Sequence, residues 1–525
     1  MSIAEKYSDF SPKIYFWLLT LLAVSLPFSP FLISLCQILL LVNWILQSNW
    51  KLKLTKMKQH KSLFVFMAIF LIHILWFPIN NDIKFGLEDL KIKLPLLILP
   101  LIIATSEPLE VREIRILLRF FIGAVVIGTF ISIAVFYGFT SHKVKDVREI
   151  SIFISHIRFS LLIVISILTI LHWIKSEGRV IVRHHILYIL LIIWMVFFLF
   201  LLKSLTGVII LFITTFILIL ILLDTIENQY LKVGLILIMY AIPFFSVLTI
   251  LNAYNIFFDD RDGDLKHLEK FTAKNHAYIN DTTSFQIENG HRVWIYYCKP
   301  ELEREWNRRS HIKYNSNDLK DQFISNTLIR YMTSKGLRKD SAGVWQLSNR
   351  DIINVQHGMT NFIFEKTWSI YPRIYEVIWE IHNYSHTGSA NKQSLIQRFV
   401  YSKIAISYIK ENFWFGVGSG NIPESYKEYY KTHDTGLSPQ WQWHTHNQFL
   451  RMFMAFGVIG FLIFLIAFIL PPFMENRWPS YYFLMIFLII FLSFLNEDTL
   501  ETQVGVTFSA FFYSLFLWGS HKRLL

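Results

Sequence analysis

Apolar residues run along this chain in long unbroken blocks, without the strict alternation of a half-buried strand. The blocks fall at about 14–28, 31–47, 63–79, 94–105, 117–139, 157–174, 186–203, 205–223, 233–251, 447–470, 481–495 and 504–519. Several are near 20 residues and almost free of charge, long enough as helices to cross a hydrocarbon core of about 30 Å. The block at 94–105 is the shortest. A membrane β-barrel would need alternating strands of about ten residues, so the pattern predicts an all-α polytopic membrane protein with about twelve transmembrane helices. One long polar stretch, about 252–446, interrupts the blocks. The expected organisation is nine spans over 1–251, a large and mainly helical loop domain over 252–446, and three spans over 447–525.

Composition agrees with this and removes alternatives. The chain has 525 residues, 54% of them hydrophobic, with 48 Phe and 16 Trp, which excludes an ordinary soluble domain. The 252–446 stretch is rich in Trp and Tyr and is not dominated by Gly, Ser or Pro, so it reads as a folded domain and not a linker. Helical patterns appear in it at 317–335 and 396–411, and turns at 260–264 and 387–390. The Asp-rich run from Asp259 to Asp264 resembles the start of a calcium loop, but Lys270 stands where the closing Glu belongs. No repeat of solenoid period is present.

The formal charge of +12 sets an orientation. Lys51, Lys53, Lys56, Lys58 and Lys61 crowd one connection, Lys175, Arg179 and Arg183 another, and Lys522 and Arg523 close the chain. With twelve spans and an inside N-terminus, all three clusters fall in the cytoplasm. The long insertion then lies outside, in the periplasm if the cell has one. The surplus cations anchor loops, or draw in an anionic lipid or phosphate; they are too dispersed for nucleic acid. Cys36 and Cys298 form no CxxC pair. The first block lacks a small-residue cleavage signature and is expected to stay as a signal anchor.

This topology collects polar residues at one membrane face. Arg158 begins the sixth span, and Lys203-Ser-Leu-Thr-Gly207 is the hairpin between the seventh and eighth. Trp441-Gln-Trp-His-Thr-His-Asn447 leads into the tenth, placing Trp443, His444, His446 and Asn447 beside hydrocarbon. Glu497, Asp498 and Glu501 lie between the last two spans, and Arg398 is in the last helical part of the insertion. Ionisable groups at membrane depth are costly and therefore functional candidates. Each has a plainer reading: Arg158 and Lys203 as snorkelling cations, the acids as their partners, the histidines as an interfacial polar pair. Two histidines at i, i+2 invite a zinc reading, but a third protein ligand, His433 or Glu497, is not singled out by spacing.

His446-Asn447 followed after nine residues by Gly457-Val-Ile-Gly460 resembles the histidine motif of the O-antigen ligase and O-antigen polymerase family. Asn412-Phe-Trp-Phe-Gly-Val-Gly-Ser-Gly420 is similar to its glycine-rich segment, and Arg398, 48 residues before His446, to its essential loop arginine. In the outer hairpin Leu205 replaces an arginine common in relatives, and Lys203 is the nearest substitute. The resemblance implies a GT-C-like membrane glycosyltransferase, metal-independent and without cofactor. Its donor would be a glycan on undecaprenyl pyrophosphate, and its acceptor a hydroxyl of lipid A–core.

For that chemistry the residues supply a mechanism. A neutral imidazole can take the proton of a sugar hydroxyl, which makes His446 the expected base with Asn447 orienting the ring or a sugar hydroxyl. Arginine forks match a leaving pyrophosphate, which makes Arg398 and Arg158 its expected holders, and direct attack inverts the anomeric centre. Trp441 and Trp443 are placed to stack on sugar rings, and His444, Lys203 and Glu497 complete the expected substrate site. Polymerisation of repeat units and transfer to protein Ser/Thr share the donor and differ only in acceptor. A transporter would instead show charged or broken segments near the midplanes of corresponding halves, and no such repeat appears.

Overall fold

Each of the twelve apolar blocks is a helix, as lipid demands, because a backbone with no water to bond must satisfy its N–H and C=O groups within its own segment. The computed structural model describes residues 3–47, 49–140, 147–176, 182–223, 228–366 and 369–521; Arg179, Lys522 and Arg523 lie outside these. The helices up to the insertion are α1 (Ile3–Ser25), α2 (Pro30–Leu46), α3 (Trp50–Gln59), α4 (Lys61–Leu75), α5 (Ile83–Lys93), α6 (Pro95–Thr105), α7 (Val111–Phe136), α8 (His156–Ser176), α9 (Val182–Leu201) and α10 (Leu205–Leu222). Next come α11 (Gln229–Phe258), α12 (Lys299–Arg309), α13 (Ile324–Ser334), α14 (Ser341–Gln346), α15 (Asn349–Gln356) and α16 (Tyr371–Thr387). The chain ends with α17 (Ser394–Glu411), α18 (Ile422–Thr432), α19 (Gln448–Met474), α20 (Tyr481–Asn496) and α21 (Gln503–Leu517).

Six helical segments of the described residues are long and apolar enough to cross a bilayer alone, and seven if the bent pair α2–α3 makes one span. Four shorter apolar helices accompany them: Phe10–Ser25, Leu205–Ile221, Tyr481–Asn496 and Gln503–Leu517. The 94–105 block is different. As α6 it has 11 residues with Pro100 inside, about 17 Å at the helical rise, too short to cross by itself. The chain is a multi-pass helical membrane protein, and its sheet content among the described residues is a two-stranded hairpin, Ile287–Glu288 with His291–Arg292.

Packing divides the chain into two compact units, Asn228–Ile396 and the remainder. The Asn228–Ile396 unit has its own core of Trp306, Tyr314, Leu328, Tyr331 and Val344, which is what the Trp and Tyr content of the insertion predicts. Local chemistry sets its helix ends. Ser348 and Asp351 form a reciprocal capping box at α15, Asp340 caps α14, and Gly388 closes α16 in the left-handed conformation. Asp262, in the Asp-rich run, accepts from Arg292 N and faces His291 at 2.7 Å. The unit also contains α11, whose apolar side chains are exposed nearly all round, as suits a helix surrounded by lipid.

In the other unit, the two glycine-rich motifs explain each other. α19 breaks at Gly457 (φ 62°, ψ −170°), which frees backbone groups inside an apolar helix. The segment after α17 takes them up: Val417 N donates to Met454 O at 2.9 Å, Gly418 N to Ala455 O at 2.8 Å, and Val458 N to Phe413 O at 2.8 Å. Irregular backbone at membrane depth is tolerated only when satisfied in this way. The approach leaves no room for side chains, since a Cβ on Gly416 would lie 2.5 Å from Ala455 C and Gly457 N. The segment is also tied to the turn after α4, by Trp76 Nε1 to Phe415 O at 2.7 Å and Gly420 N to Asn80 Oδ1 at 2.8 Å. Together these bonds fix where α19 begins relative to α17, and so where His446 meets Arg398.

Candidate active site

Three tyrosines position the segment leading into α19. Tyr401 on α17 donates to Trp441 O at 2.6 Å, and Tyr430 on α18 to Trp443 O at 2.6 Å. Tyr426 accepts from Thr445 N at 3.1 Å while donating to Tyr401 O at 2.8 Å. Asn447 is the N-cap of α19: its Oδ1 accepts from Leu450 N at 2.9 Å, and its Nδ2 donates to Leu495 O at 2.8 Å. Both ends of its amide are thus engaged in holding the helix start against α20. No hydrogen bond joins its amide to the His446 ring; the side chain that faces that ring's Nδ1 is an acid.

That acid is Asp498, in the turn between α20 and α21. Its Oδ2 is 3.2 Å from His444 Nε2 and its Oδ1 3.6 Å from His446 Nδ1. The second distance is an electrostatic contact and longer than a hydrogen bond, and His446 Nδ1 has no other partner among the described residues. Burial by itself would raise the Asp498 carboxyl. The His444 bond, the His446 contact and the charge of Arg451 outweigh it and hold the group well below the usual carboxylate range. Asp498 is therefore an anion wherever the protein is folded near neutral pH.

Glu497 gathers the cations. Arg398 sends Nη2 to Glu497 Oε1 at 2.8 Å and Nη1 to Asn496 O at 3.1 Å. Asn496 in turn donates to Thr206 Oγ1 at 2.5 Å, which ties in the hairpin that carries Lys203. Burial drives the Glu497 carboxyl upward, and the charges of Arg398, His446 and Arg158 pull it back only in part. Arg158, in the first turn of α8, is thus within electrostatic reach of Glu497, and its Nε is buried without a partner among the described residues. Lys203 is exposed at the hairpin tip with φ 50°. Trp443 is 57% exposed and contributes only its carbonyl to the local hydrogen bonds named above.

Behind these groups lies a buried ionic network that sequence reading missed. Glu501 Oε2 is 2.9 Å from Lys93 Nζ and 3.0 Å from Arg451 Nε, and Lys93 is also 2.9 Å from Asp89 Oδ1. His73 stands 3.8 Å beyond Asp89, and Gln448 bonds Glu501 and Leu500 N. Lys93 closes a run of charges, Glu88, Asp89 and Lys91, that reads as an ordinary connection, and Arg451 is one charge beside an apolar block, so neither pattern gives warning of the pairing. Removing one member of such a buried set leaves uncompensated charge, which costs about 3–5 kcal/mol. Lys93→Met is expected to lower stability on that scale, read as a lower unfolding midpoint in detergent, whereas Lys427→Met at an exposed pair on α18 should leave it unchanged.

His446, Glu497 and Asp498 offer ligand atoms all within 4.8 Å of one another, enough donors for a cation. As arranged, Glu497 already meets Arg398 and Asp498 already meets His444, so both carboxylates are engaged by side chains of the protein itself. His433 stacks on Tyr429 at 4.1 Å and is no part of the cluster.

Residues 346–465 match the family model described as O-Antigen ligase. The matched stretch contains Arg398, both glycine-rich motifs, Trp443, His444, His446 and Asn447. Arg158, Lys203, Glu497 and Asp498 lie outside it. No curated protein matches the chain. This part of the chain is thus similar to the O-antigen ligases, a glycan-handling family.

Proposed function

We propose, taking an O-antigen ligase domain at residues 346–465 as the premise, that this protein is a glycosyltransferase moving a glycan from undecaprenyl pyrophosphate to a hydroxyl of lipid A–core, at the periplasmic face of the inner membrane. The observation that carries the reading is one turn of chain, Asn496–Asp498, which meets the imidazole through Asp498 and Arg398 through Glu497, with Arg158 within electrostatic reach. A base and a phosphate holder are thus brought to adjacent residues.

The chemistry follows from those contacts. An anionic Asp498 beside Nδ1 favours the tautomer protonated there, leaving Nε2 free to accept a proton. The acceptor hydroxyl loses its proton to Nε2 as its oxygen attacks the anomeric carbon, and Asp498 steadies the imidazolium that forms. The bond from that carbon to the pyrophosphate oxygen breaks on the opposite face, so the configuration inverts. Charge grows on the departing pyrophosphate, and the forks of Arg398 and Arg158 answer it. In this structure Glu497 occupies the Arg398 fork. A carboxyl driven upward by burial is the more easily protonated and displaced by a phosphate.

Ligation by purified protein tests this, with lipid-linked glycan as donor and lipid A–core, a glycan repeat unit and a Ser/Thr peptide offered separately as acceptors. Joined product with lipid A–core alone is the expected result; product with only one of the others would reassign the acceptor. Arg398→Lys is expected to lower turnover about a hundredfold, because one ammonium cannot replace a two-pronged contact. Activity is expected to survive EDTA, and loss restored by zinc would assign the His446–Glu497–Asp498 cluster to a metal.

A further inference from the structure

We propose that the Asn228–Ile396 unit carries a second ligand site, a cavity that takes the phosphate group of an anionic lipid headgroup. The cavity measures about 410 Å³ and lies wholly within this unit. One wall is the last turns of α11, where Thr249 and Asn252 stand three residues apart and so share a helix face. The facing wall holds Arg261, Lys366, Ser369 and Tyr371.

The charge of this lining is one-sided. Arg261 spends its Nε on Asp259 at 3.1 Å, and among the described residues nothing engages its two terminal amines. Lys366 lies 5.5 Å from the centre of the Tyr371 ring and meets no carboxylate among the described residues. The neighbouring acid, Glu365, is turned away and bound by Tyr331 and Asn354 at 2.7 and 2.8 Å. Among the described residues no Asp or Glu lines the cavity. A guanidinium and an ammonium with free N–H groups, beside an amide and a hydroxyl, are the donor set that a phosphate takes.

Position argues that the phosphate belongs to a lipid. Leu251 ends the apolar run of α11, so Asn252 falls at the level where hydrocarbon gives way to headgroups. One turn toward the bilayer centre from Thr249, Phe245 is 62% exposed, and Leu248 beside it 43%. They form an apolar track on which an acyl chain can lie while its headgroup enters the cavity. A free anion would have no use for that track. The inference does not depend on the transferase reading, because the site shares no residue with it.

The test uses the full chain in neutral detergent. Short-chain phosphatidylglycerol, short-chain phosphatidylcholine and inorganic phosphate are titrated in turn, with calorimetry as readout. Phosphatidylglycerol is expected to bind about tenfold more tightly than phosphatidylcholine, whose phosphate is equally charged but carries a choline cation that Arg261 and Lys366 repel. The double variant Arg261→Gln/Lys366→Gln should lose that preference, and Lys270→Gln, at an exposed lysine of the same unit, should keep it. Both cations are solvent-facing, and an unchanged unfolding midpoint in the double variant will show that only the site was altered. A preference that survives in the double variant overturns the proposal. So does inorganic phosphate displacing phosphatidylglycerol at equal concentration, which would make this a site for free anions.

Discussion

His446→Ala is expected to cut transfer about a thousandfold, within the range typical of a lost general base, while leaving the protein folded and KM for the donor little changed. The ring is one-third exposed and its Nδ1 makes no hydrogen bond, and with the ring gone the buried Asp498 carboxylate keeps its contact with His444. Asp498→Asn sharpens the assignment. An asparagine amide would present a donor to Nδ1, turn that nitrogen into an acceptor, and put the ring proton on Nε2, where it blocks the reaction. The expected loss is about a hundredfold or more, with the Glu497–Arg398 pair and donor affinity intact. Single-turnover assays on both variants, with binding of the lipid donor measured beside them, check this. Full activity in either variant removes His446 as base, and a loss confined to donor binding would move these residues to the substrate site.

A second large effect is structural. Gly457→Ala would place its Cβ 2.3 Å from Trp414 C and O, on backbone that cannot swing aside, at a position with φ 62°. Gly416→Ala meets backbone at 2.5 Å with φ 67°. Overpacking by one methyl typically costs about 1–3 kcal/mol, and the left-handed backbone adds about 1–2 kcal/mol for an L side chain. Each variant should therefore lose about 4 kcal/mol, a large part of a membrane protein's margin. The expected outcome is a sharp fall in monodisperse protein after extraction. Gly123→Ala is the matched control: on α7 with nothing within 4 Å, it should be neutral or gain up to about 1 kcal/mol from helix propensity. If Gly457→Ala extracts as well as the control, the interlock between α19 and the 413–418 segment is not what holds the helix break.

The site was legible in part, and residue by residue the reason differs. His446, Arg398, Arg158 and Glu497 stand out in sequence because an ionisable group beside a long apolar block has few innocent explanations, and the structure brings them to one place. That Asn447 caps a helix is not legible, because a side chain next to a histidine and one that caps a helix look the same in a string of letters; only the bonds to Leu450 and Leu495 tell them apart. Asp498 was visible among the acids of its turn, but its position between two imidazoles depends on how α20 and α21 place that turn. Lys93, Asp89 and Arg451 gave no signal, since the mixed charges at 88–93 read as a solvated connection and Arg451 as an anchor until Glu501 from a distant turn is seen between them.

By itself the sequence determined that this chain lives in a bilayer as a bundle of helices, because hydrocarbon permits no other closure of backbone hydrogen bonds for continuous apolar blocks, and that residues 252–446 contain a folded region with aromatic core residues of its own. The tertiary structure alone decided which blocks reach across on their own length and which, like α6, are too short. It also decided that two glycine motifs some 40 residues apart are halves of one joint, and which carboxylate serves which cation. The physical reason is range. Hydrophobic length and charge next to it are local quantities that a string carries, whereas a 2.3 Å approach between backbones or a shared carboxylate depends on segments that meet only after the chain has packed.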